Sequence, residues 1–157
     1  MKSPLTTHVL ETATGRPAAD LRITVERQTG DSFARIAGGV TNADGRITDL
    51  LTPDTFDEGV YRITFDTGRW YAKRGERTFY PSASVVFEVF DASEHHHVPL
   101  LLNPFGYSTY RGSSSNDRRR AFLDPGRSLG RAAFTPRSGQ RRRGPPLPRR
   151  SARPPAR

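Results

Sequence analysis

Short runs in which apolar and polar residues alternate fill the first two-thirds of the chain, each closed by Gly, Pro, Asp or Asn. A period of two marks a strand with one face buried. Leu5 to Leu10 forms the first run, and Thr14-Gly15-Arg16-Pro17 reads as the turn that ends it. Leu21, Ile23 and Val25 then alternate with Arg22, Thr24 and Glu26, and Ser32 to Ala37 follows as a third strand. Asn42-Ala43-Asp44-Gly45 is a turn, because these residue types tolerate left-handed backbone, and it delivers Arg46 to the next short strand. Gly59 to Phe65 and Ala83 to Phe90 alternate again. Between them Asp66-Thr67 caps a helix of one or two turns over residues 68–74. The last strands are His96 to Asn103 and Tyr107 to Ser113, joined by Pro104-Phe105-Gly106. Seven or eight short strands so punctuated predict an all-β fold, a two-sheet β-sandwich with one short helix.

Composition divides the 157 residues at Ser113. Residues 114–157 hold thirteen Arg against Asp117 and Asp124, a net +11; the whole chain is +9, so residues 1–113 sum to −2. The basic character is a property of the tail, and the folded part is mildly acidic. With seven Pro, four Gly and no Ile, Val, Met, Trp or Tyr, the tail cannot offset the ~1–2 kcal/mol per residue that ordering a backbone costs. It is expected to be disordered, leaving 1–113 as the domain. For nucleic acid as a partner, the arginine tail is the sole feature. The chain has no Cys, which excludes disulfides, thiol catalysis and zinc-thiolate sites. No run approaches the ~20 apolar residues of a membrane span, and MKSPLTTHVL lacks a secretory apolar core. A cytoplasmic protein with no membrane partner is expected.

Candidate chemistry gathers around four histidines, His8 and His95 to His97. Neighbouring strand residues point to opposite faces, so His95 and His97 share one face and His96 takes the other. His8, His95 and His97 read either as imidazoles converging on zinc or as exposed histidines near a turn. Hydrolysis at a carbonyl requires a base to activate water, a cation for the developing oxyanion, and donors that orient the substrate. Histidine suits the first task and arginine the other two. His8, His97 and Arg46 supply that set, and Ser113 adds a hydroxyl. Each also has a plain structural reading. His8 reads as a satisfied core residue, Arg46 as a solvated turn residue, Arg111 as an ion-pair partner, and Tyr107 and Tyr110 as strand aromatics. Ser113 does not sit in a GxSxG elbow, and no phosphate-binding loop is present.

The motifs TTHVLE (residues 6–11), ADGRI (43–47), HVPLLL (97–102) and YRGS (110–113), together with GRPA (15–18) and FYPSASVVFEV (79–89), occur in one order along the chain. In that order they resemble the hydroxyisourate hydrolases, the enzyme branch of the transthyretin-like family. Glu11 stands where the family has Asp, and the tail extends beyond the family's usual end at YRGS. The resemblance implies a transthyretin-like sandwich that hydrolyses 5-hydroxyisourate in urate breakdown, without metal or cofactor. It implies His8, Arg46, His97 and Ser113 as catalytic residues, and Tyr110, Arg111 and Gly112 as substrate-binding ones. It also implies a homotetramer whose edge strands pair between subunits. The rival within the same fold is a carrier that binds a small ligand without chemistry.

Overall fold

The computed structural model describes residues 3–112. Ser113 and the tail 114–157, with the disorder and nucleic-acid contacts expected of it, lie outside the described residues. Among the described residues ten strands form two sheets. One sheet runs in the order β4 (Ser32–Val40), β3 (Arg22–Thr29), β6 (Gly59–Phe65), β7 (Ala83–Val89), all antiparallel. The other is centred on β1 (Leu5–Glu11). The short strands β2 (Arg16–Pro17) and β5 (Arg46–Ile47) pair with β1 antiparallel; β8 (His96–His97) and β9 (Leu100–Asn103) pair with it parallel. β10 (Gly106–Thr109) closes that sheet against β9.

The alternation read from the sequence explains why the sheets face each other. Leu5 and Val9 of β1, Ile23 and Val25 of β3, Tyr61, Ile63 and Phe65 of β6, and Leu100 and Leu102 of β9 are buried in one shared core. The helix α1 (Thr67–Ala72) is shorter than the expected 68–74 at its far end, and Asp66 caps it by accepting from the Arg69 N–H at 3.3 Å. Six residues are too few for an isolated helix, so tertiary contacts hold it. Trp70 and Tyr71 are buried; the Trp70 indole donates to the Ala19 carbonyl at 2.6 Å, and the Tyr71 hydroxyl donates to Glu11 at 3.2 Å.

Two strand expectations change in detail. The single strand expected over 96–103 is interrupted at Val98 and Pro99, and the strand expected over 107–113 stops at Thr109. Both breaks have one cause. In the register that pairs Gly106 with Asn103 and Thr109 with Leu100, Pro99 falls opposite Tyr110. Proline has no N–H to give to the ladder, and its carbonyl is taken by the Thr109 hydroxyl at 2.7 Å. The same register resumes three residues later, where Gly112 bridges His97.

Candidate active site

Three adjacent strands assemble one polar patch on the outer face of the β1 sheet. Thr7 and Val9 of β1 point into the core, so Thr6 and His8 point out. His8 lies directly across from Arg46 on β5, and Thr6 directly beside His97 on β8. Register partners share a face, which brings Thr6, His8, Arg46 and His97 together although 91 positions separate Thr6 from His97.

Each is held by local chemistry. The Asn42 carboxamide oxygen accepts the main-chain N–H groups of Asp44 (3.0 Å) and Arg46 (2.9 Å), while the Asn42 N–H donates to the Arg46 carbonyl at 2.9 Å. Gly45, between them, has φ +69°, and a side chain there would also strike the Val9 carbonyl. The turn is therefore specified at two points, and Arg46 is left exposed at its end. His97 is set by Thr6, whose hydroxyl lies 2.9 Å from its Nδ1, and by Gly112, whose N–H donates to the His97 carbonyl at 2.9 Å. A Cβ on Gly112 would stand 2.5 Å from His97 Cδ2, so the glycine lets the backbone pass flush against the imidazole.

The electrostatics favour neutral histidines. Burial first, and then the charge of Arg46, hold His8 below its ordinary 6.5, although Asp44 pulls the other way. His97 is likewise lowered, by burial first and then by the positive fields of Arg46, His95 and His8. Neutral imidazole beside a fixed cation is the arrangement a general base needs near neutral pH.

His96 behaves as strand alternation requires. It is buried on the opposite face, its Nδ1 3.0 Å from the Glu94 carbonyl and its ring 5.4 Å from that of Phe56. His95 lies on the His97 side, but the two share the Thr6 hydroxyl. Among the described residues no three histidine or carboxylate side chains gather as a metal site. Tyr110 and Arg111 line a groove of about 310 Å³ with Val86, Phe90 and His97, where the Arg111 guanidinium also donates to Glu94 at 2.7 Å. Sequence reasoning missed Thr6, two positions before His8 on the same strand face; that spacing was the available signal.

Several known proteins resemble this chain. The profile of the HIUase/Transthyretin family matches residues 5–112. The 5-hydroxyisourate hydrolase of Mus musculus is 45% identical over 113 residues, spanning 71% of this chain and 96% of that protein. 5-Hydroxyisourate hydrolase 2 of Rhizobium meliloti is 44% identical over 114 residues, 69% of this chain and 95% of that one. Among solved structures, Klebsiella pneumoniae 5-hydroxyisourate hydrolase aligns with a TM-score of 0.62 and 35% identity, covering 72% of this chain and all of that one. Sea bream transthyretin in complex with thyroxine aligns with a TM-score of 0.69 and 37% identity, covering 72% and 98%.

Proposed function

The chain belongs to the HIUase/transthyretin family, and we propose that it is the hydrolase within it, converting 5-hydroxyisourate to 2-oxo-4-hydroxy-4-carboxy-5-ureidoimidazoline in urate catabolism. The observation that supports this reading best is the patch where His8, Arg46 and His97 meet on one sheet face. Family membership alone does not decide the matter, because the same fold houses a thyroxine-binding protein. A carrier of an apolar ligand has no use for two neutral imidazoles beside an exposed guanidinium.

The chemistry follows from these groups. A histidine takes a proton from water, and the hydroxide adds to the ring carbonyl of the substrate. Negative charge then develops on the carbonyl oxygen, where the Arg46 fork stabilises it through charge-assisted hydrogen bonds. Collapse breaks the cyclic amide C–N bond; the proton passes to the leaving nitrogen, and a carboxylate and a ureido group result. No step requires a cofactor. Tyr110, Arg111 and Gly112 are proposed to contribute to substrate binding, and Ser113 a hydroxyl. The active unit is proposed to be a homotetramer, since β7 and β10 are sheet edges that flank a groove lined by exposed apolar residues. The cytoplasm remains the compartment expected from the sequence.

The test follows the ultraviolet absorbance of freshly generated 5-hydroxyisourate with chelator present. Purified protein should speed its decay, and His97→Ala or Arg46→Ala should each lower kcat by about 10²–10⁴-fold, the contribution typical of a positioned catalytic group. Unaltered decay, together with tight binding of a thyroxine-like ligand, would select the carrier instead.

A further inference from the structure

We propose that Thr6 and His95 are positioning residues, forming a hydrogen-bond relay that fixes the tautomer of His97 and leaves its Nε2 unprotonated toward the substrate. The inference deepens the hydrolase reading and rests on it for the role of base.

Proton bookkeeping along the chain of contacts gives the direction. His95 Nδ1 lies 3.1 Å from the Ser3 main-chain oxygen. A carbonyl only accepts, so this nitrogen carries a hydrogen. While His95 carries that one ring proton, its lone pair is at Nε2, 3.0 Å from the Thr6 hydroxyl oxygen. A hydroxyl has one hydrogen, which it gives to that lone pair; toward its other neighbour it can only accept. That neighbour is His97 Nδ1 at 2.9 Å, which must therefore carry the hydrogen. A neutral His97 protonated at Nδ1 has its lone pair at Nε2. It is the atom available to accept a proton from water.

Reversed polarity requires a second proton on His95. The imidazolium would then donate to Thr6, the hydroxyl would turn to His97 Nδ1, and the His97 hydrogen would move to Nε2, blocking the base. A charge on His95 is one of the positive fields that lower His97, with those of Arg46 and His8. Thr6 is 8% exposed, so little water competes for its hydroxyl. The tautomer is thus set by a main-chain carbonyl two side chains away, the same logic by which an outer partner orients a catalytic or metal-bound histidine.

The experiment has two arms on the full chain. In ¹⁵N-labelled unaltered protein near neutral pH, the His97 ring should show a protonated Nδ1 and a pyridine-like Nε2. Thr6→Val, which keeps shape and removes the hydroxyl, should lose that single tautomer and lower kcat by about 10- to 100-fold with KM little changed. Thr6→Ser should restore both. A His97 proton on Nε2 in the unaltered protein would overturn the relay, without any variant having to fold. So would a Thr6→Val protein with unchanged tautomer and kcat. Absence of turnover in the unaltered protein would overturn the base role together with the hydrolase reading, and the intact tautomer signal would tell that outcome from a failed relay.

Discussion

At the scale of single residues, His8 and His97 matter through where their protons sit. Both are held below 6.5 by burial first and by the Arg46 charge next. A base whose pKa is lowered in the folded state binds protons more weakly there than in the unfolded chain. Its contribution to stability is therefore complete above the unfolded value and is lost as pH falls through the folded one. The same shift extends catalysis toward acid. The pH profile of kcat/KM, which reports the free enzyme, should stay flat through 6.5 and bend only below it. In Arg46→Lys the charge remains but the planar fork is gone, so activity should fall while the acid bend stays in place. An acid bend at or above 6.5 in the unaltered protein would contradict the depressed histidines.

The elements show which parts of this arrangement were legible beforehand. Alternation located β1, β3, β6 and β7 because each has one buried and one solvent face. Asn42-Ala43-Asp44-Gly45 was readable because carboxamide and glycine chemistry specify a turn locally. Thr6 was legible only as a residue on the His8 face; the part its hydroxyl plays arises when β8 is laid against β1, a pairing between segments far apart in sequence. Where Pro99 breaks the pairing was likewise hidden, because which residue falls opposite it is fixed only by the register of β10 on β9. Ser113, though legible as a motif residue, has no described position. The turn offers a prediction at this scale. Asn42→Ala removes the acceptor for two main-chain N–H groups on an exposed loop. It should cost about 1 kcal/mol in denaturant unfolding and lower turnover more than stability alone explains, because Arg46 loses its aim. Equal losses of fold and turnover, both repaired by stabilising osmolyte, would reduce the turn to a structural role.

For the molecule as a whole, the open question of chemistry becomes one of water. In one subunit the patch of His8, Arg46 and His97 faces outward, with Arg46 exposed. Oxyanion stabilisation by a guanidinium is far stronger where water is excluded. A neighbouring subunit laid over that face would supply the exclusion, and the edges β7 and β10 supply a means of holding one in place. Val86 (57% exposed) and Phe90 (77%) lie along or just beyond β7, and Tyr110 (59%) just beyond β10. Apolar residues on a bare edge favour strand addition, and a lysine there opposes it. Val86→Lys should therefore leave the far-ultraviolet β-sheet signal intact, shift sedimentation from the proposed tetramer toward smaller species, and lower turnover at equal chain concentration. Raising the concentration should recover part of that loss, because assembly follows mass action. A Val86→Lys protein that stays tetrameric and fully active would remove β7 from the assembly, and a fully active monomer would show that one subunit excludes water from the patch by itself.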